Sequence, residues 1–183
     1  MIYPIVAYGD PVLKKTAQPI EKGTDLKKLV ADMYETMYNA NGVGLAAPQI
    51  GMSIRLFVVD GSPMDEDDET LKTFKKVFVN PTVMEETGDA WAFEEGCLSI
   101  PGIRADVNRP PKVTVRYFDE DWNEHTDTYD GLAARIIQHE YDHLEGVLFV
   151  DKISAMKKRL IQSKLTDISR GKARADYRLR FAK

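Results

Sequence analysis

Apolar residues recur at helical spacing in three stretches of the chain. Leu26, Leu29, Val30, Met33 and Met37 line one face behind Thr24-Asp25, which can cap a helix, and Gly42 can end it. Leu132, Ile136, Ile137 and Leu144 form a second set, opened by Asp130 and closed near Gly146. Met156, Leu160, Ile161 and Leu165 form a third, starting around Ser154. Elsewhere the apolar runs are short. Ile54 to Asp60 and Val77 to Asn80 read as strands flanking an acidic loop, Asp65 to Glu69, expected to be exposed and without chemistry. Ile103 to Val107, Lys112 to Phe118 and His125 to Tyr129 read as further strands, with Asn108-Arg109-Pro110-Pro111 breaking the first two apart. The glycines and proline of Gly42 to Gln49 argue against regular structure there. Without βαβ alternation, the order predicts an α+β fold: mixed or antiparallel short strands around the second helix, with a C-terminal helix after it.

Composition narrows the classes. The 183 residues are 43% apolar, enough for one sizeable core, and there is no repeat and no linker, so a single domain over 1–183 is expected. No apolar run approaches the ~20 residues that span a bilayer, and Met1 to Val6 carries no basic leader. A cytoplasmic protein is expected. One cysteine, Cys97, excludes an internal disulfide. Charge is unevenly spread: Lys152 to Lys183 holds eleven Lys or Arg against two Asp, a net +9 on a chain of net −4. Such a tail suits a polyanionic partner or a solvated helix face, and composition alone favours the solvated face. Arg174 to Lys183 is expected to lack fixed structure in the free protein.

The chemistry concentrates in His139-Glu140-Tyr141-Asp142-His143. On a helix, residues i and i+4 share a face, so both imidazoles can address one ion while Glu140 reaches a water beside it. A catalytic centre of this kind usually has a third protein ligand and an open position. A third histidine after Gly146 is missing, since Phe149 stands there, and no glutamate follows Glu145. Asp151 and Asp167 are weak candidates, and His125 reads as a surface residue. Cys97, in Glu94-Glu95-Gly96-Cys97-Leu98-Ser99, is the strongest remaining donor.

Gly42-Val43-Gly44-Leu45-Ala46-Ala47-Pro48-Gln49, Glu95-Gly96-Cys97-Leu98-Ser99 and Gln138-His139-Glu140-Tyr141-Asp142-His143 together resemble, in order, the three signature motifs of the peptide deformylase family. The likeness extends from the Asp10-Pro11-Val12-Leu13 region to about Arg159. It implies hydrolytic removal of the formyl group from the N-terminal formyl-methionine of nascent chains, with release of formate. It implies Cys97, His139 and His143 as metal ligands, Glu140 as acid/base, and the Gln49 amide and Leu98 N–H as oxyanion donors. The implied metal is ferrous iron, with zinc, nickel or cobalt as substitutes. Val43, Gly44 and Leu45 would run beside the substrate, main chain against main chain, and the methionine side chain would enter an apolar pocket near Val43, Leu132 and the face of the catalytic helix. Arg135 stands where an apolar pocket residue is expected; its stem could line the pocket with the charge held outside. Glu95 and Arg109 match positions that form an ion pair bracing the cysteine segment. In some members a basic C-terminal helix contacts the ribosome, which turns the reading of the +9 segment toward ribosome docking. No membrane or specific DNA binding is expected.

Two other readings compete. A metallopeptidase would share the HExxH helix but lacks its third His or Glu. A non-catalytic, ribosome-associated binding protein with a structural metal would need a fourth protein ligand, and none is evident.

Overall fold

The computed structural model describes all 183 residues. The strands are β1 (Ile5–Val6), β2 (Gly44–Ala46), β3 (Leu56–Asp60), β4 (Lys75–Thr87), β5 (Trp91–Cys97), β6 (Ile100–Arg109), β7 (Lys112–Phe118), β8 (Glu124–Asp130) and β9 (Leu179–Arg180). The helices are α1 (Lys27–Asn39), α2 (Glu69–Lys72), α3 (Gly131–Leu144) and α4 (Ala155–Ser169). The fold is α+β. An antiparallel five-stranded sheet runs β2-β3-β4-β7-β8, β5 and β6 form a separate hairpin, and β1 pairs with β9 in parallel.

Leu56-Phe57-Val58-Val59 is apolar on both faces because β3 is covered on both. Phe57 and Val59 join a core cluster that includes Ala134, Ile136 and Ile137 of α3. Leu56 and Val58 join another that includes Val30, Met33 and Met37 of α1. Strand β7 alternates instead: Val113, Val115 and Tyr117 are buried, while Lys112 and Arg116 are exposed. Phe78 of β4 is fully buried between Phe57 and Tyr117, with ring centroids 4.7 and 4.3 Å away.

Several expectations shift. Leu26 is the N-terminal cap residue of α1, while Asp25 accepts from the Lys27 N–H at 3.1 Å. The helix ends with Asn41 in the left-handed region at φ 55°, and the Gly42 N–H bonds back to the Met37 carbonyl. The acidic loop is partly ordered, for Asp68 caps α2 and Leu71 is buried. Strand β4 continues far beyond Asn80. Pro81 is accommodated by a shift in register between Val79 and Thr82, and Asn80 has φ 48° at that bend. Gly42 to Gln49 is more regular than expected: β2 lies there, followed by a 3₁₀ turn at Ala47–Ile50. Helix α4 begins at Ser154 as expected, its hydroxyl accepting from the Lys157 N–H. Its buried face is Ile161, Leu165 and Ile168, whereas Met156 and Leu160 are 74% and 73% exposed.

The expected structureless tail is instead folded. Ile5 and Ala7 donate to the carbonyls of Arg178 and Arg180, and Leu179 and Phe181 pack against a core cluster beside α4. The physical reason is period-2 alternation: Tyr177, Leu179 and Phe181 face inward while the arginines between them stay in solvent.

Removing the Phe78 ring leaves a cavity between the Phe57 ring stacked on it and the tilted Tyr117 ring. Phe78→Ala should lower unfolding free energy by about 3–5 kcal/mol, measured by urea denaturation.

Candidate metal centre

Helix α3 carries His139 and His143 one turn apart, and β5 carries Cys97 at its end. One donor atom from each lies within 4.8 Å of the other two, and Cys97 Sγ is 3.4 Å from His143 Nε2. A tetrahedral ion with usual bond lengths would hold sulfur and nitrogen about 3.6 Å apart. The donor set and spacing therefore fit one thiolate-plus-imidazole-bound ion. Neither Asp151 nor His125 joins the group: Asp151 pairs with Lys14 and Lys158, and His125 with Asp119.

The ligand orientation is set by Glu95. Its Oε1 receives His139 Nδ1 at 2.8 Å and an Arg109 nitrogen at 3.0 Å; its Oε2 receives Arg109 Nε at 2.7 Å and Arg135 at 2.9 Å. With its Nδ1 proton on a carboxylate, His139 turns Nε2 and its lone pair toward Cys97. Burial alone would raise the Glu95 carboxyl, but the hydrogen bonds from His139 and Arg109 outweigh it and hold it far below the usual range. Burial pushes His143 well down, which keeps that imidazole neutral. The expected Glu95–Arg109 pair is thus present. Arg109 also reaches Asp142 of α3 at 2.8 Å.

Glu140 is in the opposite situation. Its carboxylate is buried, Oε2 has no hydrogen-bond partner, and burial pushes its pKa up to about 7. It lies against β2, where a Cβ on Gly44 would stand 2.6 Å from Oε1. Only glycine leaves that space open.

Gln49 is fully enclosed rather than solvated. Its Oε1 accepts from the Ala46 N–H, and its Nε2 donates to Ser99 Oγ at 3.2 Å and faces Cys97 Sγ at 3.4 Å. Leu98 and Ser99 form the two-residue turn between β5 and β6. The Leu98 N–H donates to no backbone group, and the Leu98 carbonyl accepts from the Tyr177 hydroxyl.

These groups open into a cleft of about 590 Å³ walled by Val43 and Gly44, by Phe93 to Leu98, by Ile136, and by Arg174 to Tyr177. Two residues expected beside the substrate do not put their side chains into the cleft. Leu45 projects from the other side of β2 and is fully buried against the α1 core. Leu132, a full turn before Ile136, packs on the core around α3 and leaves Ile136 to face the cleft. Arg135 lines the cleft, but its charge is not held outside. It is 2% exposed, bonded to Glu95 and to the Val107 and Trp91 carbonyls, and stacked on Trp91 at 4.7 Å. Glu95 and two carbonyls offer more there than water does.

Sequence reasoning passed over Ser99, Asp142, Ile136 and Tyr177. The first two sit inside the motifs and Ile136 one turn before them, so each was within reach. Nothing near Tyr177 in sequence signals a contact 79 residues away.

The polypeptide deformylase family model matches residues 2–159. A peptide deformylase of Cytophaga hutchinsonii is 62% identical over 99% of this chain and 98% of its own length. One from Christiangramia forsetii is 57% identical over 99% and 96%. The crystal structure of a peptide deformylase from Legionella pneumophila superposes with a TM-score of 0.81 at 42% identity, over 95% of this chain and 99% of that one. The chain belongs to the polypeptide deformylase family.

Proposed function

We propose that this chain, as a peptide deformylase, removes the N-formyl group from newly made polypeptides at a single divalent ion held by Cys97, His139 and His143. The observation that carries the reading is the convergence of these three donors beside the buried Glu140 carboxylate, whose Oε2 has no hydrogen-bond partner. Such an ion, when bound, acts as a Lewis acid and makes a water acidic enough to attack near neutral pH. Glu140 accepts that water's proton and returns it to the departing amine as formate leaves. One Gln49 N–H and the unpaired Leu98 N–H donate to the oxygen that gains charge. The substrate lies along β2, an edge strand, with main chain against main chain near Val43 and Gly44. Its methionine side chain sits among Val43, Ile136 and the stem of Arg135. Ferrous iron is the assigned metal, and zinc, nickel or cobalt suit the same donors. No helix is long and apolar enough to cross a membrane, and the assigned place of action is the cytoplasm, where chains emerge.

The deciding assay is formate release from an N-formyl-methionyl tripeptide by anaerobic, iron-loaded protein, with unformylated and N-acetylated peptides alongside. Release from the formyl peptide alone is expected. Glu140→Gln should lower it by at least ~10²-fold, within the ~10²–10⁴-fold contributed by a positioned acid/base, while one metal per chain is retained. Peptide-bond cleavage without dependence on formyl would favour the metallopeptidase instead.

Gly44→Ala tests the close approach of β2. Displacing Glu140 by about 1 Å should cost ~10²-fold in kcat, with the metal still bound; unchanged kcat would remove β2 from the site.

The exposed face of α4, with Lys157, Arg159 and Lys164 around Met156 and Leu160, is the proposed ribosome contact. Because the tail is packed, charge reversal probes it better than truncation. Reversing these three charges should weaken co-sedimentation with ribosomes at low salt and flatten its salt dependence; unaltered binding would dismiss the contact.

A further inference from the structure

The turn that carries the oxyanion donor is held from outside the hairpin it closes. Cys97 pairs with Ile100, so Leu98 and Ser99 form a two-residue loop. Such loops normally take turns with positive φ at one or both central residues, because that twist matches the flanking strands. Neither Leu98 nor Ser99 has positive φ, and the register shifts between Gly96 and Cys97. The loop is therefore not one of the usual two-residue hairpin turns, and contacts from outside the hairpin bear on its orientation.

Both carbonyls of the turn are anchored by the chain's distant ends. The Tyr8 N–H donates to the Ser99 carbonyl at 2.8 Å, and the Tyr177 hydroxyl donates to the Leu98 carbonyl at 2.7 Å. These two donors belong to one ribbon, since β1 and β9 pair with each other at Ile5–Leu179 and Val6–Arg180. Tyr177 itself packs against the core cluster around α1 and forms part of the cleft wall. Its ring is thus fixed on one side while its hydroxyl reaches the other. The family match ends at residue 159, well short of this tyrosine.

We infer that Tyr177 is a positioning residue for the hydrolysis: by holding the Leu98 carbonyl it fixes the direction in which the Leu98 N–H points into the cleft. The peptide planes on either side of Leu98 share its Cα, so anchoring the carbonyl restricts rotation of the amide. Tyr177 does not meet the reacting atoms. It acts through Leu98, and the inference rests on the reading of that N–H as an oxyanion donor. Donors preorganised toward developing charge help the transition state more than the bound substrate. The effect of Tyr177 should therefore appear in kcat.

The test uses the full-length, iron-loaded protein and the formyl-methionyl tripeptide. Tyr177→Phe, which deletes one oxygen and keeps the ring, should lower kcat about tenfold, less than the ~10²–10³-fold of losing a donor outright. KM should stay within about twofold, since ground-state binding is not what the donor serves, and melting temperature and bound metal should be close to wild type. Tyr177→Leu, which removes ring and hydroxyl, should lower kcat at least as far. Unchanged kcat in the phenylalanine variant, with loss only in the leucine variant, would assign Tyr177 to packing and overturn the inference. So would a fall in kcat that merely tracks loss of metal. If the wild-type protein releases no formate, the functional reading fails instead, and the two failures are distinct.

Discussion

One buried carboxylate organises the centre. Glu95 sits on β5 two residues before Cys97, and its partners come from β6 through Arg109 and from α3 through Arg135 and His139. A charge withdrawn from water this far is costly unless its hydrogen-bonding capacity is met. Here both oxygens are used twice. Because the acceptor rides on the strand that bears the sulfur and the donors ride partly on the helix that bears the imidazoles, the same bonds set the distance between strand and helix. Removing Glu95 would take the shared acceptor from two buried guanidiniums and an imidazole, at ~3–5 kcal/mol. The three candidate donors, Cys97, His139 and His143, are therefore brought together by the bonds around Glu95.

The contrast with Glu140 follows from the same physics. The two carboxyl groups lie in one cluster of elements, yet one is held ionised by two guanidiniums and an imidazole, and the other, with no hydrogen bond to its Oε2, is pushed by burial up to about 7. Environments that drive two carboxyls apart divide structural from chemical work. Gly44 is part of that division, because a side chain there would occupy the space into which the Glu140 carboxylate projects.

How far the sequence reached can be judged residue by residue. The spacing of His139 and His143 was enough to place both on one helix face, and the absence of alternative donors pointed to Cys97. Strand β5 was hard to read because Trp91 and Phe93 share their inward face with Glu95, and a charged residue at the most buried position breaks the apolar alternation. Arg135 was misread for the same reason: sequence shows an arginine, not the carboxylate and carbonyls waiting for it. The facing of the Leu45 and Leu132 side chains was not legible because a motif names a segment, whereas facing depends on strand parity and helix phase. The tail was read through its charge, although Tyr177, Leu179 and Phe181 already alternated at the strand period. Helix α4 shows the converse failure. Met156 and Leu160 fitted the apolar pattern, yet Ile161, Leu165 and Ile168 took the buried face.

Rigidity is what connects the fold to the choice of a small acyl group. A pocket that must refuse one additional methyl group gains only ~1–3 kcal/mol from the refusal, and yielding walls would forfeit it. The wall formed by β2 is backed by β3, which is buried on both faces between α1 and α3. The opposite wall, the Cys97 to Ser99 segment, is fastened by Gln49, by Tyr8 and by Tyr177. Close-packed interiors transmit strain instead of absorbing it, so both walls resist displacement by what enters the cleft. Selectivity in such a site resides less in any residue touching the acyl group than in what stands behind those residues.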